Sequence, residues 1–138
     1  MQVSCFHLLE VKANRFVNFW TVLKIADRNV GQGHELQMAT NSLAPYLLTT
    51  LLEPILIRTA VSSPPFSVRV VFVVALMNHR VPAGGMSFDS HGSPKIMPEN
   101  WDNYMQSKVG GSWLADGFAK RLGSKDILSV VSPCDTSE

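Results

Sequence analysis

The chain has 138 residues, a length that points to one domain rather than two. With 46% hydrophobic and 17% charged residues it reads as globular rather than disordered. Its 12 basic and 11 acidic residues are interspersed and sum to a net charge of +1, so nothing advertises a nucleic-acid surface and no such partner is expected.

Residues 5–26 carry Phe6, Leu8, Leu9, Val11, Phe16, Phe19, Trp20, Leu23 and Ile25 at mostly helical spacing. Residues 1–32 are therefore expected to be a helical N-terminal segment of unassigned role. The opening MQVSCFHLLEVKANRF lacks a basic stretch before its apolar residues and is a poor signal peptide. Gly31 and Gly33 break the pattern. From Glu35 to about Ala60, leucines at 43, 47, 48, 51 and 52 predict a long helix that Pro45 and Pro54 should kink or interrupt. That run also contains Glu53 and Arg58, so no membrane span is expected there. After the loop SSPPF, the β-branched run at 68–77 reads as a buried strand of a parallel sheet. Residues 78–98 hold Gly84, Gly85, Gly92 and three prolines and should be irregular. A helix then starts near Pro98 or Glu99 and stops at Gly123, and ILSVV at 127–131 is a second buried strand.

A strand, a crossover helix and a second strand form a βαβ unit with parallel strands. The expected fold class is therefore α/β: a partial, truncated Rossmann-like doubly wound fold of about two parallel strands and three or four helices. Two strands cover the apolar faces of those helices poorly, and a full doubly wound sheet has more.

The candidate chemistry lies in the helix YMQSKVGGSWLADGFAKRLG. Tyr104 and Lys108 are four residues apart, so one turn of helix places both on one side. A phenol titrates near pH 10, and an ammonium one turn away favours the phenolate and lowers that value. The bland alternative is a half-buried tyrosine and a solvated lysine on an ordinary helix. His7, His34, His79 and His91 have no paired metal spacing. Cys5 and Cys134 form no disulfide framework, which makes a reduced, cytoplasmic setting the expectation.

Five ordered stretches resemble the C-terminal half of a short-chain dehydrogenase/reductase, over roughly residues 33–138. They are most similar to the retinol-dehydrogenase-like branch found in fungal secondary metabolism. They are GHELQMATNSLAPYLLTTLLEPIL, SVRVVFVVAL, GGMSFD, the Tyr-x-x-x-Lys helix and ILSVVSPCDTSE. The resemblance implies NAD- or NADP-dependent interconversion of a small alcohol and ketone. It implies Tyr104 as the proton donor or acceptor and Lys108 as its partner, which also holds the nicotinamide ribose. Asn41 matches an asparagine that supports a water relay to that lysine, and Thr136 matches a threonine that contacts the cofactor. The helices at 35–60 and 99–122 match a dimer interface, so a homo-oligomer or a complex with a full-length paralogue is implied.

Four features depart from the family's pattern. No glycine-rich turn seats a pyrophosphate, and the first thirty residues carry no family motif. Ala75 stands where the family has its catalytic serine, and an alanine donates no hydrogen bond. Pro133 is followed by Cys134 rather than glycine. These departures define the alternative reading, a catalytically inactive relic or interaction module.

Overall fold

The computed structural model describes residues 16–18, 33–75 and 81–134. In chain order the elements are strand β1 (Phe16–Asn18), the helical turn α1 (Leu36–Met38), a π-turn (Ala39–Leu43) and helix α2 (Ala44–Val61). Strand β2 (Val68–Ala75), helix α3 (Asn100–Leu122), a 3-10 turn (Gly123–Lys125) and strand β3 (Ile127–Cys134) follow.

The fold is α/β, with a parallel sheet in the order β1-β2-β3. β2 and β3 pair without a slip, from Val68 opposite Ile127 to Ala75 opposite Cys134. The third strand was not expected. Phe16–Asn18 pairs with Val70–Phe72 inside a segment whose spacing looked helical, and the rest of 5–26 lies outside the described residues. β2 ends at Ala75, since residues 76 and 77 of the expected strand also lie outside them. β3 runs three residues beyond its expected end and takes in Pro133, a residue confined to edge strands because it lacks an N–H.

β2 alternates. Val68, Val70, Phe72 and Val74 are buried, whereas Arg69 is exposed and Val71 and Val73 are only partly covered. The buried face meets both long helices. Leu56 and Ala60 of α2 and Ala115, Phe118 and Leu122 of α3 join Val68, Val70, Phe72 and Ile127 in one core, where the Phe72 and Phe118 rings stack at 5.9 Å.

α2 shows what the two prolines do. Pro45 sits in its first turn, where a missing N–H costs little. Its ring would clash with the carbonyl four residues back, that of Asn41. The wider π-turn just before it, in which Ala44 N–H reaches the Ala39 carbonyl, relieves that clash. Pro54 lies inside α2 and the helix continues through it. α3 ends as expected at Gly123, but Gly123 is right-handed (φ −59°) and the left-handed residue is Asp126 (φ 57°). Among the described residues no helix is long and apolar enough to cross a membrane.

Candidate active site

α3 brings Tyr104 and Lys108 together at the heart of the molecule. Tyr104 is 2% exposed and Lys108 3% exposed, against a solvated lysine's usual place at the surface. The ammonium lies 5.6 Å from the centroid of the Tyr104 ring, within cation–π range. Lys108 Nζ also donates to the carbonyl of Val73 at 3.2 Å, which fixes α3 to the end of β2. The Tyr104 ring packs against Trp101 with centroids 5.4 Å apart. A buried lysine held by a strand carbonyl and an aromatic face is no solvated helix residue, so the bland alternative fails for this pair.

Asn41 reaches the same turn of α3 from the π-turn. Its side-chain amide donates to Ser107 Oγ at 2.9 Å, and Ser107 Oγ in turn donates to the carbonyl of Tyr104 at 2.7 Å. Next to it, Ser42 Oγ donates to the carbonyl of Ser107 at 2.7 Å. The approach is close because residue 110 is glycine: a Cβ there would land on Ser42 Oγ and lie 3.0 Å from Ser42 Cβ.

The other flank of α3 holds the loop that follows β2. Gln106, buried, accepts from Ser87 N–H at 2.7 Å and donates to the Lys95 carbonyl at 3.2 Å. It thereby clamps both arms of a short hairpin in which Lys95 N–H donates to the Ser87 carbonyl. Asn103 pairs with Met97 through both ends of its amide, at 2.7 and 2.9 Å. Gly85, at φ 92°, lets this loop lie on α3, since a Cβ there would meet Val109 at 2.9 Å and Trp113 at 3.3 Å.

Of the residues singled out in the sequence, Tyr104, Lys108 and Asn41 converge. Ala75 ends β2, two residues beyond the carbonyl that Lys108 holds, and brings no donor there. Thr136 lies outside the described residues. Ser107, Ser42, Gln106 and Asn103 were missed. For the three on α3 the one sequence signal is the uncharged polar residues that flank Tyr104 in NYMQS; Ser42, on the π-turn, carried none. No cluster of His, Cys, Asp or Glu suited to a metal occurs among the described residues.

No family model and no solved structure matches the chain. Curated relatives do. A short-chain dehydrogenase/reductase of Phomopsis amygdali is 36% identical over 134 residues, covering 93% of this chain and 39% of that protein. One of Phaeosphaeria nodorum is 34% identical over 134 residues, covering 92% and 42%. An uncharacterized oxidoreductase of Schizosaccharomyces pombe is 38% identical over 98 residues, covering 71% and 29%.

The chain belongs to the short-chain dehydrogenase/reductase family. It spans about two fifths of the length of the two longer-matching relatives. Coverage of 93% of 138 residues leaves about ten unmatched, so the family match reaches well into residues 1–32.

Proposed function

We propose that this chain carries the acid–base half of an NAD(P)-dependent oxidoreductase that interconverts a small alcohol and a ketone. The fungal relatives support the oxidoreductase family; the place in fungal secondary metabolism and the cytoplasmic setting are proposed from the sequence resemblance and the cysteine content alone. The observation that carries the reading is the buried Tyr104–Lys108 pair, with the ammonium 5.6 Å from the ring centroid and anchored on β2.

The residues present fit one end of the cofactor. A buried ammonium beside a phenol suits a ribose hydroxyl pair, and Lys108, Tyr104 and Asn41 are the residues that would hold the nicotinamide ribose. Thr136 is proposed as a further contact. For the pyrophosphate, no glycine-rich strand-to-helix turn occurs among the described residues. The nicotinamide supplies or accepts the hydride. Tyr104 gives a proton to the ketone oxygen, or takes one from the alcohol, at its phenol oxygen. Lys108 stabilises the negative charge that develops on that oxygen, in a site from which water is largely excluded. Ala75 offers the substrate oxygen no second hydrogen bond.

Ketone reduction by the purified chain with NADPH or NADH tests the reading. Tyr104→Phe should lower the rate about 10²–10⁴-fold, the usual worth of a positioned proton donor. Ala75→Ser should raise the parent rate by restoring a donor at the end of β2. Full activity in Tyr104→Phe removes the assignment.

A second reading is favoured by Ala75 together with the outer face of α2, where Tyr46, Leu47, Leu51 and Ile55 are exposed beside Trp113 of α3. In that reading the chain is a non-catalytic module that binds a second copy of itself or a full-length paralogue through this face. Light scattering that returns a single species of about the 15.2 kDa monomer mass counts against self-association.

A further inference from the structure

Ser107 lies between Tyr104 and Lys108 and is fully buried. Its hydroxyl links the π-turn to the backbone of the Tyr104 turn, and the link has a direction. An amide N–H only donates, so against Asn41 Nδ2 the hydroxyl oxygen must accept. The single hydroxyl proton is then committed to the Tyr104 carbonyl, 2.7 Å away. In an α-helix that carbonyl is the acceptor for the N–H of Lys108. A serine that bonds back to the preceding turn competes for that acceptor and bends the helix slightly. The bend here falls on the four residues that set the spacing of phenol and ammonium. Packing alone does not call for this hydroxyl, since Gly110 and Ser42 already bring the π-turn against α3.

We infer that Ser107 is a positioning residue. It passes the placement of Asn41, set by the Pro45-induced π-turn, to the Tyr104–Lys108 turn, and so fixes the distance between ring and ammonium. The inference rests on the acid–base reading above and adds a residue to it.

Tyr46 and Tyr104 are the chain's two tyrosines, so ring-labelled tyrosine gives two resolvable signals. Tyr46 is 47% exposed on α2 and serves as the internal reference. The measurement is the 13Cζ chemical shift of each tyrosine in the full chain at one fixed pH. Lys108→Met should move the Tyr104 signal and leave Tyr46 in place. Ser107→Ala should move Tyr104 in the same direction by a smaller amount. Asn41→Asp keeps the side chain's shape but replaces the donor with an acceptor, so the Ser107 proton turns away from the Tyr104 carbonyl. That variant should reproduce the Ser107→Ala shift, and the double variant should match Ser107→Ala alone. If Ser107→Ala fails to fold, Ser107→Cys, of similar size but a weaker donor, is measured in its place against the same criteria.

An unmoved Tyr104 signal in the folded Ser107 variant overturns the inference, as does a double variant whose shift is the sum of the two single ones. Those results leave the acid–base reading intact provided Lys108→Met moves the signal. If Lys108→Met leaves Tyr104 unmoved, the pair is not coupled, and both the reading and the inference fall.

Discussion

α3 and α2 use their side chains in opposite senses. α3 turns Asn103, Gln106, Ser107 and Lys108 inward, each at most 3% exposed, while α2 turns Leu47, Leu51 and Ile55 outward, each at least 50% exposed. Burying polar groups is costly unless each finds a partner, and on α3 each does: a loop peptide, a strand carbonyl or the π-turn. Among the described residues α2 has no such network. Its inward side holds Leu56 and Ala60 in the core, and Thr49, fully buried, has a hydroxyl without a hydrogen-bond partner. The contrast separates a helix shaped by a site from one shaped by packing on two sides. One side is filled by the sheet, and the other stays open among the described residues.

Five substitutions break or sharpen this contrast, each read by urea or thermal denaturation. The largest effect should come from the core that both helices share. Leu122→Ala, at a fully buried position between α3 and β3, should cost about 2–5 kcal/mol. Next, two glycines of α3 should respond with opposite signs. Gly110→Ala forces a methyl onto Ser42 and should cost about 1–3 kcal/mol. Gly117→Ala, with nothing within 4 Å, should gain about 0.5–1 kcal/mol from helix propensity. If both stabilise, the close approach of the π-turn is not maintained in solution. Third, Thr49→Val should stabilise by about 1 kcal/mol, because the lost hydroxyl had no partner. A loss would mean that a partner, such as an ordered water, satisfies it. Last, Leu51→Ala on the open side should change stability by less than about 0.5 kcal/mol in a monomer. A larger, concentration-dependent loss would show the side to be covered by association.

The sequence exposed the parts of the fold that repeat a simple pattern. β2, α3 and β3 were legible because a valine-rich run with a single charge, a proline-to-glycine-bounded helix and a second short apolar run each carry one simple pattern. The Tyr104–Lys108 pair was legible because four residues make a turn. β1 was not, since three residues are too few to show alternation, and Phe16 also fits the helical spacing around it. The π-turn was half legible. Pro45 announced a disturbance, but whether a helix kinks, stops or widens depends on what the freed turn packs against, here Ser107 and Gly110 of a helix some sixty-five positions away. Ser107, Gln106 and Asn103 escaped notice for a related reason. Serine, glutamine and asparagine are ordinary helix-surface residues, and only the arrival of the hairpin and π-turn makes that surface an interior.

The unbroken parallel ladder between β2 and β3 also bears on how the chain reaches its fold. Val68 pairs with Ile127, 59 positions later, so no part of that ladder can zip up locally. Loop-closure entropy must be met before any strand–strand bond forms, and α3 with its hairpin has to condense first. Until then VRVVFVVA, with a single charge at Arg69 and no proline, stands unpaired and resembles the short segments that stack between molecules. Refolding yield should therefore fall steeply with protein concentration, and the competing reaction is capture of β2 by the β2 of another molecule.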